Sequence, residues 1–238
     1  MKPTGAPARI TPVIAIDGPS GAGKGSVSRA VAEALGCRYV DTGAMYRAVA
    51  WLASDRGLAL DDEPAVRRLA EEVELIQDGG RVTVAGHDVT HRIRNGAIDA
   101  AAARVACMPS VRQVLVGRQR AYVAFGGLVM EGRDIGTTVF PDADVKIYLD
   151  AAPEERAARR AADPAHGLGR SASTLSDVAS ALEARDRSDR TRDSSPLVMA
   201  DDAVRVDTTG LVLETVIERV LTIVRRRLAA RGGAGWSG

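Results

Sequence analysis

Apolar residues along the chain follow two different periods. Val13–Ile16, Arg38–Val40, Leu128–Glu131, Val145–Leu149 and Ala203–Val206 are short runs rich in aliphatic residues. Unbroken runs of this length fit strands buried on both faces, since half-exposed strands alternate. Between them the spacing changes to that of helices. Val27, Ala30, Val31, Ala34 and Leu35 make one stripe, stopped by Gly36. Leu213, Val216, Ile217, Val220, Leu221 and Val224 make the clearest stripe of all, after the last strand. Strands that alternate with helices predict an α/β protein with a five-stranded parallel sheet in a three-layer arrangement.

Two stretches interrupt that alternation. Residues 61–104 predict a short helix (Val66, Leu69, Ala70, Val73) and a hairpin, Val73–Gln77 with Arg81–Ala85, turned by Asp78-Gly79-Gly80. A further helix carries Ile98, Ala101, Ala102 and Val105 on its apolar stripe. This reads as an inserted subdomain. Residues 163–193 open on the Pro/Gly/Ser-rich ADPAHGLGRSAS and end in a strongly charged helix, as a mobile lid does. The core is then expected over 10–60, 105–162 and 194–230, with flexible ends at 1–9 and 231–238.

Composition narrows the classes. A chain of 238 residues can hold one sizeable core with insertions, or two small domains. Its formal net charge of +1 argues against nucleic acid held by bulk electrostatics, so any anionic ligand must be met by local arginine clusters. The 2 cysteines, Cys37 and Cys107, form neither a CxxC nor a metal pattern and read as free thiols of a cytoplasmic protein. No apolar run approaches the length of a membrane span, and the N-terminus lacks a signal-peptide core.

The chemistry begins where the first strand ends. Gly18-Pro19-Ser20-Gly21-Ala22-Gly23-Lys24-Gly25-Ser26 joins that strand to the first helix. Glycines at this spacing let the backbone point N–H groups at phosphate oxygens, and the helix N-terminus adds partial positive charge. Lys24 then reaches the outer phosphates, and the Ser26 hydroxyl is placed for Mg²⁺. This is a P-loop in its required context, and its GKG[ST] ending is typical of nucleoside monophosphate kinases and their relatives.

Arginines supply a second anion site. Arg47, in Asp41-Thr42-Gly43-Ala44-Met45-Tyr46-Arg47, follows the carboxyl end of the second strand, where loops of parallel sheets face the ligand crevice. An exposed helix arginine is the alternative at this point. Glu131-Gly132-Arg133-Asp134 ends the third core strand; Arg133 can clamp a phosphate with two prongs, and Asp134 can accept from an amino group. Glu131 reads either as an outer partner of magnesium or lysine, or as one half of an ordinary salt bridge. Arg185, Asp189 and Arg192, at i, i+4 and i+7, share a helical face that could close over a transferring phosphate. His87, His91 and His166 fall outside every motif and read as surface residues. A site rich in arginine and without an evident base suits a phosphate acceptor, already anionic at pH 7, better than a hydroxyl.

Taken together, IDGPSGAGKGS, DTGAMYR, EGRDIGTTVFPDADVKIYLDA and RDRSDRTRDSSPL resemble the bacterial cytidylate kinases. The resemblance runs from about residue 10 to 227. GRDxGTxVFPDA with the arginine-rich segment is specific to that group, whereas adenylate and eukaryotic UMP/CMP kinases carry a DGFPR-type motif instead. The resemblance implies a P-loop core, a nucleotide-binding insertion, a short lid, and transfer of the ATP γ-phosphoryl group to CMP or dCMP with Mg²⁺. It implies that Gly18–Ser26 hold ATP and Mg²⁺. Thr42, Arg47, Arg112, Arg133, Asp134, Arg185, Asp189 and Arg192 would bind CMP, with Arg112 and Asp134 reading the cytosine edge. Lys24, Arg133, Arg185 and Arg192 would carry the catalysis. Ala103 stands where the family pattern has a base-binding serine, and Ser26 replaces the commoner threonine. A monomer with no nucleic acid or membrane partner is expected. A kinase for UMP or shikimate, or a nucleotide-dependent switch without transfer, are the alternatives.

Overall fold

A computed structural model describes residues 11–163 and 174–232. Five strands, β1 (Val13–Asp17), β2 (Arg38–Asp41), β6 (Leu128–Gly132), β7 (Val145–Asp150) and β8 (Val204–Asp207), form one sheet in the order β2-β6-β1-β7-β8. Every pairing is parallel, with Val13 opposite Leu128 and Ile14 opposite Val145. Each strand matches a predicted run to within one residue at its ends.

The unbroken apolar runs have a plain cause: both faces of the sheet are covered. On one side Ile14, Ile16, Val129 and Ile147 pack under α1 (Lys24–Leu35) and α8 (Leu213–Gly232). On the other, Ala15, Val40, Leu128 and Met130 pack with Ile135 and Val139 of a single π-helical turn, Ile135–Val139. Burying an aliphatic side chain contributes about 1.5–3 kcal/mol, so these two clusters hold the helices firmly on the sheet. Helix α8 extends through Gly232, two residues into the stretch expected to be a flexible tail.

The insertion has the predicted parts and one more. Helix α3 (Glu63–Glu72) is capped by Asp62, and β3 (Leu75–Asp78) turns back into β4 (Arg81–Val84) through Gly79 and Gly80, both at positive φ. Val73, expected on the helix, is its extended C-cap. A third antiparallel strand, β5 (His87–Asp88), completes this small sheet. Two residues carry no readable period, which is why the sequence shows no sign of it. Helix α4 (Gly96–Ala106) is capped by Asn95 and packs on α2 (Thr42–Asp55). It passes residue 104 without a break, so that expected boundary falls inside a helix. Helix α5 (Pro109–Ala121) returns the chain to the core.

Among the described residues, two helices stand between β7 and β8. Helix α6 (Pro153–Ala162) packs against α7 (Leu175–Thr191) through Ala157, Val178 and Leu182. The helical part of the expected lid is thus seated on the core, and Arg192 differs from expectation. It is the extended C-cap of α7 (φ −67°, ψ 141°), past the helix rather than on its face. The expected end 1–9, residues 233–238 of the expected tail 231–238, and the Pro/Gly/Ser-rich opening of the lid with His166 lie outside the described residues. His87 and His91 are exposed. Cys37 is half-buried, Cys107 is exposed, and both are free thiols. Among the described residues no helix is long and apolar enough to cross a membrane.

Candidate active site

A cavity of about 610 Å³ opens at the carboxyl ends of β1, β2 and β6. One wall is the glycine loop. Gly18 sits at φ +147° with the Leu149 carbonyl so close that a Cβ would lie 2.0 Å from its oxygen. Only glycine fits there. Gly23, at φ +89°, leads into α1, whose first turn has no side-chain cap. The N–H groups of that turn therefore stand uncapped in the cavity wall, as an anion site requires. Ser20 to Ser26 line the cavity; Gly18 and Pro19 lie behind them, and the Pro19 carbonyl accepts from Lys24 Nζ at 2.7 Å. Burial, and then the nearby Arg133, lower the Lys24 pKa to about 7.

The opposite wall is basic, and its arginines come from four elements. Arg47, on α2, is buried and donates to Asp41 Oδ2 at 2.8 Å. Asp41 in turn caps α2 by accepting from the Ala44 N–H. Arg133, just past β6, donates to Asp189 Oδ2 at 2.8 Å; burial works against its charge, but Asp189 outweighs burial and raises its pKa. Arg185 on α7 lies 3.4 Å from Asp99, and burial and Arg133 lower its pKa. Arg112, on α5, donates to Asp134 Oδ2 at 2.5 Å, and Arg192 lies 3.7 Å from the other oxygen of Asp134. Arg47 Nε and Arg192 Nη2 are buried donors without a hydrogen-bond partner among the described residues. Buried unsatisfied donors cost free energy unless a ligand meets them.

The expected site residues therefore come together around one cavity. Thr42 lines it too, but its hydroxyl proton is committed to the Glu131 carbonyl at 2.7 Å. Glu131 accepts from Tyr39 Oη at 2.5 Å, and burial followed by Asp41 raises its pKa. Its charge also acts on Lys24, in line with the lysine partner expected for it, although its direct hydrogen bond goes to Tyr39. Ala103 contributes to the wall from α4.

Several residues that sequence reasoning passed over also build the site. Arg94, Arg159 and Arg160 line the cavity. Asp99 of α4 pairs with both Arg160 and Arg185, joining the insertion to α6 and α7. Asp17, buried at the end of β1, accepts from the Ile135 and Gly136 N–H groups at 2.9 and 2.8 Å; burial raises its pKa to about 6. Gln77 donates to and accepts from the Asp41 backbone, at 2.7 and 3.0 Å, docking β3 beside β2. No local signal in the sequence singles them out.

Metal chemistry has modest support from the protein itself. Among the described residues no group of three or more His, Cys, Asp or Glu could hold an ion. The Ser26 hydroxyl is exposed on the first turn of α1, in the cavity wall. One hydroxyl beside a phosphate cradle fits Mg²⁺ that arrives on a nucleotide, since this ion keeps several waters and takes substrate phosphates as ligands.

A parallel sheet with a glycine loop at its switch point, faced by a basic wall, has the fold of the P-loop kinases. A gluconokinase from Sinorhizobium meliloti 1021 shares that fold, with a TM-score of 0.51 at 15% identity over 94% of this chain and 97% of that one. The chain belongs to the cytidylate kinase family, whose model matches residues 14–226. It is 44% identical over 226 residues to the cytidylate kinase of Geobacter sulfurreducens, covering 93% of this chain and 96% of that protein. It is 46% identical over 224 residues to the bifunctional pantoate ligase/cytidylate kinase of Synechococcus sp. (strain WH7803). That match covers 92% of this chain and 46% of the relative, so the chain spans about half the length of its bifunctional relatives.

Proposed function

We propose that the chain transfers the γ-phosphoryl group of ATP to the phosphate of CMP or dCMP, giving ADP and CDP or dCDP. The observation that carries this reading is the meeting of two anion sites in one cavity: the uncapped first turn of α1 with Lys24, and Arg47, Arg133 and Arg185 opposite. An oxygen of the CMP phosphate attacks the γ-phosphorus, and the bond to the oxygen bridging to the β-phosphate breaks, leaving ADP with the electron pair. The attacking phosphate is already anionic, so no general base is needed.

In this reading Gly18–Ser26 hold ATP, with Gly18 and Pro19 shaping the loop from behind. Arg47 and Arg133 hold the acceptor phosphate, Lys24 and Arg185 stabilise the equatorial oxygens in transfer, and Arg192 steadies acceptor and base. Charge stabilisation of this kind accounts for most of the rate enhancement in phosphoryl transfer. The Ser26 hydroxyl would hold Mg²⁺ that arrives on the nucleotide, and the ion would supply further neutralisation of phosphate charge. Asp134, fixed by Arg112, accepts from the cytosine amino group and meets the carbonyl of uracil as a like partner. Asp189 and Thr42 complete the CMP wall. Residues 61–106 act as the acceptor-binding insertion and 163–193 as the lid of a cytoplasmic monomer.

An ADP-release assay across CMP, dCMP, UMP and shikimate tests this. Preference for CMP and dCMP is expected. A higher kcat/KM for UMP or shikimate would overturn the acceptor, and ATP hydrolysis unaffected by any acceptor would overturn the transfer.

A further inference from the structure

Asp186 belongs to the arginine-bearing helix α7, yet it does not line the cavity and is 1% exposed. Its Oδ1 accepts from the backbone N–H of Ser20 at 3.2 Å. Its Oδ2 pairs with Arg156 of α6, itself buried. The same Arg156 nitrogen donates to the Ser20 carbonyl at 3.0 Å, while Arg156 Nε is held by the Ala151 carbonyl at 3.1 Å. Both backbone polar groups of Ser20 are thus taken by one buried ion pair. The next residue, Gly21, sits at φ +80° against the Arg156 backbone, where a Cβ would lie 2.8 Å from its carbonyl oxygen.

Two consequences follow from this geometry. Fixing the N–H and C=O of Ser20 fixes the peptides on either side of it, and those peptides set where the N–H groups from Gly21 onward point. Asp186 also lies next to Arg185 and one turn before Asp189 on the same helix. Any tilt of α7 that moved Arg185 or Asp189 would break the contact with Ser20. A buried pair this costly to desolvate is better explained by the conformation it specifies than by stability.

We propose that Asp186 and Arg156 are positioning residues that hold the glycine loop in its phosphate-binding shape and lock the arginine face of α7 to it. Neither side chain lines the cavity, so they act through Ser20 and Arg185. The link to Arg185 rests on the kinase reading given above; the link to Ser20 does not.

The test uses Asp186→Asn, Arg156→Met and the double variant, which removes the pair without leaving a buried charge behind. Calorimetry with ADP alone is expected to show affinity reduced about tenfold or more in the double variant. Amide hydrogen exchange at Ser20 and Gly21 is expected to rise by a similar factor. In turnover of ATP and CMP, kcat falls about 10- to 100-fold, and Asp186→Asn costs less in the Arg185→Met background than in the wild type, because part of its effect runs through Arg185. A folded double variant, judged by circular dichroism and melting, with unchanged ADP affinity and unchanged exchange would overturn the proposal. Losses that multiply fully with Arg185→Met would overturn the coupling to α7. If the wild-type protein made no CDP, the transfer reading would fall, while the ADP and exchange measurements would still decide the role of the pair.

Discussion

Arg133 Nε donates to Asp189 Oδ2 across 2.8 Å, joining the end of the sheet strand β6 to helix α7. The pair is nearly buried, and Arg133, Arg185 and Arg192 together hold the Asp189 pKa below its usual value against the effect of burial. The same arrangement recurs around the cavity: Arg47 with Asp41, Arg185 with Asp99, Arg112 with Asp134. Each guanidinium is oriented by a carboxylate behind it, and an arriving phosphate meets donors that are already fixed. Such preorganisation is what makes charge stabilisation effective in transfer.

Replacing Arg133 with Met removes the clamp nearest the cradle. The expected result is a loss of about 10²–10³ in kcat/KM for CMP, the range seen when one preorganised donor is lost. ADP affinity at pH 7 changes less than about threefold, since the cradle keeps its own donors and only the charge of Lys24 responds to the loss of Arg133. Steady-state kinetics and calorimetry read the two numbers separately.

Lys24 makes the donor site pH-dependent. Its pKa of about 7 in the ligand-free protein lies below the ordinary 10.5, so it is largely neutral above pH 7. A polyphosphate binds the charged form, so ADP affinity falls as pH rises from 7.5 to 9, by at most about tenfold per unit. Lys24→Arg, whose guanidinium stays charged, flattens that slope. Stability of the ligand-free protein moves the other way. The unfolded chain binds the extra proton between pH 7 and 10.5, so folding gains with pH across that window. Calorimetry in buffers of different ionisation enthalpy reads the proton uptake directly.

In the proposed function Asp134 reads the base. In Asp134→Asn the group facing the base gains an N–H donor, and the carboxylate partner of Arg112 is lost. UMP use relative to CMP is expected to rise about tenfold or more, with kcat for CMP falling less than the selectivity does. An unchanged UMP/CMP ratio would contradict the role.

How far the chain could be read without coordinates differs from place to place. The glycine loop was legible because phosphate binding forces both residue type and spacing, and β1 and α1 flank it as required. Arg47, Arg133 and Arg185 were legible because they stand at strand ends or on a helix above the crevice. Arg192 was placed on the face of α7, but the helix ends at Thr191, and the i+7 spacing could not show that. Gln77, Asp17, Asp99 and Arg160 act through partners 36 to 119 residues away in sequence. Nothing local distinguishes them from surface polar residues. Strand β5 was too short to leave a pattern.

Gln77 gives a stability test of one such distant contact. Its side chain mimics a strand partner for Asp41, the residue that caps α2 and orients Arg47. Gln77→Ala leaves the N–H and C=O of Asp41 without these bonds and is expected to destabilise the fold by about 1–3 kcal/mol. The KM for CMP should rise several-fold with kcat nearly unchanged, because the chemistry keeps its donors. Urea unfolding and steady-state kinetics check the two parts.

The central claim is that the two anion sites in one cavity pass a phosphoryl group directly from one nucleotide to the other. Incubation with ATP labelled at the γ-phosphorus and unlabelled CMP tests it most simply, with products resolved by chromatography and phosphorus NMR. The account predicts the label in the β-phosphate of CDP, one for each ADP formed. Label released as inorganic phosphate, with CMP left unchanged, would contradict it.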